Sequence, residues 1–447
     1  MSRLRELMEE LCPDGVEYVP LWSVTIWDKK FNAVERDKQP IVENYRYLLA
    51  NDLFLMEVDK GDVFLLSTGE RTGWTTEELA GEYLKEGEVV SIPWGKSRDV
   101  TDCIKYYKGK FVTADNRIAT SNDITKLSNR YLYYWMMSQG KVIDTFYRGS
   151  GIKHPDMAKV LNMQIPIPPL AIQNEIVKLL DDFTELTAEL TEQLMTELTL
   201  RKKQYNFYRD SLLNFVRVDD TIIQTDRQTD RQAQRISKFG LLRKEFRVEW
   251  KTLGEVANVV RGASPRPIQK FVSKETGSLP WVKIGDAVIG AKYISQTSEK
   301  ITLEGAKKSR KVVSGDLILS NSMSFGRPYL MKIEGYIHDG WLAITEFDKV
   351  YQSDFLYHLL SSGQIQDEMR RKASFGGAVQ NLNSSIVKEL HLPVPPREVQ
   401  QKIVSILDRF DTLCNDLTSG LPAEIAARKK QYEYYRDKLL TFPRSNG

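Results

Sequence analysis

The stretch RKKQYNFYRDSLLNF, residues 201–215, returns almost unchanged as RKKQYEYYRDKLLTF at residues 428–442. Each copy begins with basic residues and continues with tyrosine and leucine at helical spacing, which is typical of an amphipathic helix. The two copies stand 227 positions apart. A helix repeated at that distance indicates that a much larger unit of the chain has been duplicated.

The duplication has no gap between residues 165–215 and residues 392–442, where 25 of 51 positions are identical. Weaker matches continue upstream. They pair LWSV (21–24) with LGEV (253–256), GEVV (87–90) with GDLI (315–318), and LYYWMMS (132–138) with LYHLLSS (356–362). The helical segments are therefore nearly the same, whereas the globular segments share a frame and differ in content. This contrast predicts one scaffold carrying two different recognition surfaces.

The composition indicates a folded protein of several domains. The chain has 447 residues, of which 41% are hydrophobic and 28% charged, and its net charge is +3. It contains no apolar run near the ~20 residues of a membrane span, and its amphipathic, half-acidic start is unlike a secretory signal. We therefore expect a cytoplasmic location. The cysteines and histidines are scattered, so neither a disulfide framework nor a metal site is predicted.

Both long helices follow a proline-rich entry, IPIPP at residues 165–169 and LPVPP at residues 392–396. Proline is tolerated in the first helical turn, so these motifs mark helix starts. Residues 171–215 contain neither proline nor glycine, which predicts a helix of roughly 65 Å. We expect the two helices to form an antiparallel, coiled-coil-like pair; alternatively, each could fold onto its own domain. Gly420 and Pro422 predict a break in the second helix.

The basic and aromatic cluster of each helix allows two interpretations. Its side chains could grip nucleic acid, or they could pack against the scaffold and dock a partner protein. We favour packing or docking. The candidates are Arg201, Lys202, Tyr205 and Tyr208 in the first helix and Arg428, Lys429, Tyr432 and Tyr435 in the second.

The globular segments combine short β-branched and aromatic runs with helical ones, which predicts a mixed α/β (α+β) fold class. Their loops carry polar and basic side chains of the kinds that contact phosphates and base edges. In the first segment the DNA-binding candidates are Lys96, Ser97, Arg98, Arg148, Lys153 and His154. In the second they are Arg261, Ser264, Arg266, Ser322, Ser324, Arg327, Gln380 and Asn381. Single loops of this kind are usually solvated turns, and it is their recurrence in both segments that indicates binding.

Motifs for catalysis are missing from the sequence. WGKS, residues 94–97, lacks the upstream glycine of a phosphate-binding loop. Glu249 and Lys251 form a nuclease-like Glu-x-Lys without a convincing Pro-Asp partner. The proline motifs differ from the Asn/Asp-Pro-Pro-aromatic box of adenine methyltransferases. The sequence therefore predicts a binding protein without catalytic residues.

The whole chain resembles the DNA-specificity subunit of type I restriction–modification systems. The resemblance rests on LCPDGVEYVPL (11–21), LGEVANVVRGASP (253–265), LPWVKIGD (279–286), SGDLILS (314–320), SFGGAVQNLN (374–383) and the paired proline-entry helices. TELTAELT, residues 184–191, looks like the short helix repeat of that family, whose copy number sets the spacer between half-sites.

This resemblance implies a domain plan with a pseudo-two-fold internal repeat. The implied parts are target-recognition domain 1 (1–164), central helix 1 (165–215), a linker (216–247), target-recognition domain 2 (248–391) and helix 2 (392–442). Each recognition domain would read one half of a bipartite, asymmetric site in double-stranded DNA. The helices would set the spacer and dock two methyltransferase subunits, and two restriction subunits could join. S-adenosylmethionine, ATP and Mg²⁺ would be used by those partners, with no cofactor or metal in this chain.

Three alternatives stay open at this point. The chain could serve a related system in which restriction and methylation are fused in one partner. It could be a nuclease or methyltransferase in its own right, or a coiled-coil adaptor without a DNA role.

Overall fold

The architecture comes from a computed structural model. It describes residues 2–96, 99–215, 248–288, 290–321, 325–374, 382–415 and 420–445. The predicted linker lies outside these residues. The chain divides into two compact units. Unit 1 comprises Met1–Thr191 together with Ala427–Gly447, and unit 2 comprises Glu192–Ala426. Each unit therefore contains one globular segment and parts of both predicted helices.

Unit 1 is built on a six-stranded sheet with the order β2-β7-β5-β6-β3-β4. Strand β3 runs parallel to β6, and the other neighbouring strands are antiparallel. The strands of unit 1 are β1 (Tyr18–Pro20), β2 (Thr25–Trp27), β3 (Val63–Leu66), β4 (Gly73–Thr75), β5 (Lys85–Pro93), β6 (Lys105–Thr113), β7 (Asn116–Ser121), β8 (Tyr147–Arg148), β9 (His154–Pro155) and β10 (Gln164–Pro166). Its shorter α-helices are Ser2–Leu11, Leu21–Val24, Ala50–Leu55, Glu77–Ala80, Asn129–Ser138, Gly140–Thr145 and Met157–Leu161.

Unit 2 has a five-stranded sheet with the order β12-β20-β17-β18-β14 and a four-stranded sheet with the order β15-β13-β19-β16. Its strands are β11 (Glu249–Thr252), β12 (Asn258–Arg261), β13 (Leu279–Val282), β14 (Tyr293–Ile294), β15 (Glu299–Ile301), β16 (Arg310–Val312), β17 (Leu317–Ser320), β18 (Pro328–Met331), β19 (Gly335–Ile337), β20 (Trp341–Thr345) and β21 (His391–Val394). Its α-helices up to the second proline entry are Leu253–Val256, Leu303–Lys307, Ser353–Leu360, Gly363–Ser374 and Ser384–Lys388. The predicted mixture of helix and sheet is confirmed in both units.

The weak upstream repeat corresponds to a repeated backbone frame. The four-residue helices Leu21–Val24 and Leu253–Val256 occupy the same place. The amide of Leu21 donates to the carbonyl of Met163 (2.8 Å), and the amide of Leu253 donates to the carbonyl of Leu390 (2.9 Å). The two acceptors also correspond in the duplicated sequence, so the frame was copied together with the helices.

The first long helix, named the central helix here, is continuous over Leu170–Leu213 and has 44 residues. This confirms the predicted uninterrupted rod. The second is divided into Arg397–Asn415 and Leu421–Leu439. Gly420 lies outside both pieces and Pro422 falls in the first turn of the second piece, where proline costs no hydrogen bond. The predicted break is therefore confirmed on the described residues of that segment.

The end of each long helix lies in the core of a unit. Leu213, the last residue of the central helix, and Phe215, just beyond it, are 4% exposed in the core of unit 2. Leu440 and Phe442, at the equivalent positions of the second helix, are buried in the core of unit 1. Burying such apolar side chains contributes about 1.5–3 kcal/mol each.

One aromatic contact between the helices is present in both units. In unit 1 the rings of Phe183 and Tyr435 stack with centroids 6.0 Å apart. In unit 2 Phe410 and Tyr208, which are their duplicates, stack at 5.3 Å. The hydroxyl of Thr184 lies 3.0 Å from that of Tyr432. Thr184 follows Phe183 in its helix, whereas Tyr432 precedes Tyr435 in the other. The two helices therefore run antiparallel, as predicted.

A buried glutamine near the start of each long helix joins it to the globular segment. The side-chain oxygen of Gln173 accepts from the amide of Ser128 (2.9 Å), and its nitrogen donates to the carbonyls of Lys126 and Pro168. Gln400 makes the same three bonds to Gln352, Val350 and Pro395. Both side chains are at most 1% exposed. Since buried polar groups are costly unless paired, these bonds fix the helix on its domain.

Candidate nucleic-acid interface

The two units place an aspartate at the same turn of the frame. Ala119 pairs with Val90 in unit 1, and Ala343 pairs with Ile318 in unit 2, so the two alanines are equivalent. Asp115 and Asp339 each stand four residues before their alanine, in the turn that leads into β7 or β20. Basic side chains gather around both carboxylates.

In unit 1 the basic partners of Asp115 are Lys29 and Arg117. Its Oδ1 lies 3.2 Å from the Nζ of Lys29 and 2.8 Å from Nη1 of Arg117. The guanidinium of Arg117 also lies 3.9 Å above the ring of Trp94. Arg117 is only 4% exposed. Its charge is therefore held at the floor of the site by an ion pair and a cation–π contact.

A second carboxylate, Asp28, lies beneath the same arginine at 3.8 Å. Burial raises the pKa of Asp28 to about 6, although Arg117, the amide of Ile118 and Lys29 lower it. Desolvation of the carboxylate thus outweighs its neighbours.

Above this floor lies a cleft of about 590 Å³. Its cationic lining residues are Lys29, Lys30, Arg117 and Arg148, and its aromatic ones are Phe31, Trp94 and His154. The carboxylate of Asp156 lies 3.5 Å from Arg148, and the Nδ1 of His154 lies 2.9 Å from the carbonyl of Trp94. Cations beside aromatic faces suit phosphates, bases or other anionic aromatic groups.

In unit 2 the Asp339 turn gathers the last residue of β12 and two residues of the loop that follows it. Ser264 donates to Oδ1 at 2.7 Å, and Nη2 of Arg266 lies 3.8 Å from Oδ2. Nε of Arg261 donates to the backbone carbonyl at 2.8 Å. The hydrogen bond from Ser264 lowers the pKa of Asp339 and outweighs the effect of burial. Arg266 is 85% exposed, so a ligand can reach its guanidinium beside Asp339.

The structure thus brings together several of the sequence-predicted residues. Arg148 and His154 line the cleft of unit 1, and Arg261, Ser264 and Arg266 meet at Asp339. Lys153 is exposed, and its backbone bridges that of Lys96. Arg327 is half-buried just before β18. Its backbone carbonyl accepts a hydrogen bond from the amide of Ser320.

Lys96 differs from the other candidates that the structure describes because its side chain is only 6% exposed. It is paired with Asp144, and its Nζ lies 5.0 Å from the ring centroid of Tyr147. A lysine held in this way stabilises the loop that carries it. Six further candidates lie outside the described residues: Ser97, Arg98, Ser322, Ser324, Gln380 and Asn381.

Sequence reasoning missed Lys29, Lys30 and Arg117 as well as both aspartates. Lys29 and Lys30 follow β2 in the run WDKKFN, and Arg117 follows the turn at the start of β7. Each run alone is an ordinary charged loop. The signal that joins them is the strand register, which brings the loop after β2 beside the turn before β7.

The tyrosines of the helix clusters are engaged within the chain. The Tyr205 hydroxyl lies 3.1 Å from Nδ1 of His358, and Tyr208 stacks on Phe410. In unit 1 Tyr432 reaches Thr184 and Tyr435 stacks on Phe183. The basic members stay at the surface: Arg201 bonds Glu197 and Gln204, Arg428 bonds Gln431, and Lys202 and Lys429 are exposed.

Neither a metal centre nor a membrane span emerges from the part of the chain that the structure describes. No three His, Cys, Asp or Glu side chains there are grouped to hold a metal ion. Likewise, no helix in those residues combines the length and apolar character that crossing a membrane requires.

Comparison with known proteins gives a consistent family assignment. The model of the type I restriction modification DNA specificity domain matches residues 56–200 and 247–427. The chain is 34% identical over 99% of its length to the type I restriction enzyme EcoR124I/EcoR124II specificity subunit of Escherichia coli, covering 98% of that protein.

A second relative is the putative specificity subunit S.HindORF215P of Haemophilus influenzae, with 32% identity over 80% of this chain and 84% of that one. A solved structure from work on complex assembly and conformational transition of the type I R-M system also matches, with a TM-score of 0.61 and 15% sequence identity. The match covers 96% of this chain and 98% of that chain. At that identity the match supports the fold alone. The duplicated frame, the paired helices and these matches together show that the chain belongs to the family of type I restriction–modification DNA-specificity subunits.

Proposed function

We propose that each unit reads one half of a bipartite, asymmetric site in double-stranded DNA. One observation carries the proposal: the same turn gathers basic side chains in both units, but the side chains differ. Unit 1 uses Lys29 and Arg117 on Asp115, and unit 2 uses Ser264 and Arg266 on Asp339. A shared frame with different donors suits two half-sites of different sequence.

The long helices set the distance between the half-sites and dock two methyltransferase subunits, which two restriction subunits join. In support, the central helix carries large apolar side chains that are exposed. These are Leu186 (60% exposed), Met195 (51%), Leu200 (59%) and Phe207 (65%). Scattered apolar residues are normal on a surface, but Leu186, Leu200 and Phe207 are 14 and 7 residues apart and so fall on one side of the helix, where they can anchor a partner helix.

The chain itself is non-catalytic in this proposal, and S-adenosylmethionine, ATP and Mg²⁺ belong to its partners. The nuclease-like Glu249 and Lys251 lie on β11, which pairs with β21, and their side chains meet each other at 3.4 Å. This geometry favours a surface ion pair over a metal-dependent active site.

Footprinting of the chain with its methyltransferase subunits tests the reading of DNA. Two protected segments separated by an unprotected spacer are expected on the DNA that the host methylates. Replacing Arg266 or Arg327 should weaken binding to one half-site only, and replacing Arg148 should weaken binding to the other. A uniform loss on unrelated DNA would indicate phosphate contact instead. Absence of any protection would support the adaptor alternative.

The spacing role has a separate test. Deleting Thr187–Leu190 removes about one helical turn, or ~6 Å, from the central helix. Methylome sequencing of cells carrying this variant should show the same two half-sites with a different spacer. Altered half-sites with an unchanged spacer would contradict the proposed ruler.

A further inference from the structure

The aspartate at the centre of each basic cluster is unexpected on a surface that binds DNA. A carboxylate repels phosphate and reduces the positive potential of its neighbours. Yet Asp115 and Asp339 occupy the same position of the duplicated frame, although the residues around them differ. Because each carboxylate opposes DNA binding and is nevertheless present in both units, we expect it to contribute to binding in another way.

Asp115 is well placed to orient the cations of unit 1. One oxygen of Asp115, Oδ1, accepts hydrogen bonds from the Nζ of Lys29 at 3.2 Å and from the Nη1 of Arg117 at 2.8 Å. Lys29 comes from the loop after β2 and Arg117 from the start of β7. The carboxylate therefore ties together two segments that are distant in sequence and fixes the spacing of two charges that would otherwise repel each other.

Asp339 joins the corresponding segments of unit 2. Its Oδ1 accepts from Ser264 at 2.7 Å, its Oδ2 lies 3.8 Å from Arg266, and its backbone carbonyl accepts from Arg261 at 2.8 Å. The same carbonyl also accepts from Nδ2 of Asn321, at 2.9 Å. Asn321 is only 4% exposed, so the turn is anchored to the interior while its acceptors face the loop.

We propose that Asp115 and Asp339 are equivalent positioning residues, which hold the basic side chains of each unit in the geometry that reads a base edge. This inference rests on the proposed reading of DNA. Long basic side chains lose conformational freedom when they bind, and a carboxylate that restricts them beforehand reduces that loss. The aspartates therefore contribute to discrimination between bases, while the net attraction to DNA falls.

The test measures methylation by the complex of the chain with its methyltransferase subunits. The substrates are duplexes in which each base pair of the two half-sites is replaced singly. Asp115→Asn should reduce discrimination roughly ten-fold at positions of one half-site and leave the other unchanged, and Asp339→Asn should do the reverse. Asp123→Asn and Asp367→Asn are matched controls. Each removes a carboxylate that is paired with a nearby basic side chain, Lys126 or Arg370. Both controls should discriminate as the wild type does.

A double-mutant cycle separates positioning from direct contact with a base. If Asp115 acts through Lys29 and Arg117, adding Asp115→Asn to a variant that carries both Lys29→Met and Arg117→Met should cause no further loss of discrimination. Additive losses would overturn the inference, because the carboxylate would then act by itself, for example on a cytosine amino group. Equal discrimination by the wild type and both aspartate variants would also overturn it.

Two further measurements keep the outcomes distinct. Thermal unfolding of each variant complex shows whether a loss comes from misfolding, and Asp115→Glu should recover part of the discrimination if the carboxylate is what matters. Failure of the wild-type complex to distinguish any half-site base would refute the proposed function itself. Normal discrimination by the wild type together with unaltered variants would refute only the positioning role.

Discussion

The two units join their long helices to their globular segments through the same aspartate but with different partners. In unit 1 Asp181 accepts from Tyr134 (2.5 Å) and from Arg130 (2.6 Å). In unit 2 its duplicate, Asp408, meets His358 (2.7 Å) and Lys292 (2.5 Å). Tyr134 and His358 are at matching positions of the repeat. The duplication has therefore preserved where the contact is made, whereas the groups that make it have changed.

This difference also changes the electrostatics of the joint. His358 is fully buried and Lys292 is 5% exposed, whereas Arg130 is 29% exposed. The unit 2 joint thus contains a buried ammonium and a buried titratable imidazole, and the unit 1 joint contains a phenol and a partly solvated guanidinium. Matching substitutions at duplicated positions of the two units therefore test how far the units are equivalent.

The glutamines should show equal and large effects. Gln173→Ala and Gln400→Ala each leave one amide and two carbonyls without their side-chain partner in a buried site. We expect each to lower the free energy of unfolding by about 4 kcal/mol, since each buried unpaired group costs roughly 1–3 kcal/mol. Chemical denaturation measures both. A loss in one variant only would break the equivalence of the units at this position.

The aspartates should show unequal effects. Asp408→Asn leaves the buried ammonium of Lys292 with Asp354 alone, and we expect a loss of about 3 kcal/mol. Asp181→Asn removes a partner from a more solvated arginine, and about 1 kcal/mol is expected. The same denaturation experiment compares them. Equal losses would mean that burial of Lys292 adds nothing to the joint.

The stacked aromatic pairs should again behave alike. Tyr435→Leu in unit 1 and Tyr208→Leu in unit 2 remove stacking on Phe183 and Phe410 while retaining an apolar side chain. About 1 kcal/mol is expected for each, which is the usual contribution of such a pair. Thermal unfolding of the two variants should give similar shifts, and a shift confined to one variant would show that the pairs differ.

Acid should weaken unit 2 through His358. Burial lowers the pKa of His358, and the opposing effect of Asp408 is smaller. The unfolded chain therefore binds the proton more readily, so the stabilising contribution is present above pH 6.5 and is lost as the pH falls below it. The stability advantage of the wild type over His358→Gln should shrink between pH 7.5 and 5.5. Unit 1 has Tyr134 at this position, and Tyr134→Phe should show a difference that does not vary with pH in that range.

Much of the architecture can be predicted from the sequence because the internal duplication is visible as repeated residues. The repeated RKKQY motif predicts two equivalent helices, and Gly420 with Pro422 predicts where the second one breaks. The strength of single contacts does not follow in the same way. Gln173 and Asp181 are two of many identical positions in the repeat, and only their three-dimensional partners distinguish them from the rest.

The candidate interface is less predictable for a related reason. Arg148, His154 and Arg266 are found from loop composition, since basic residues recur at both sites. Lys96 shares that composition but pairs with Asp144 in the interior. Lys29 and Arg117 are 88 positions apart in sequence. They come together only through strand pairing, which local patterns do not determine.

The division of the chain into units has a consequence for biosynthesis. Unit 2 is one continuous segment, Glu192–Ala426, inserted into unit 1, which needs residues from Ala427 onward. On a translating ribosome the first 191 residues emerge early, but Leu440 and Phe442 reach their core last. Unit 2 can therefore complete its own core while unit 1 still lacks part of its core. Until those last residues arrive, the apolar surface they cover stays open to chaperones or to a neighbouring nascent chain.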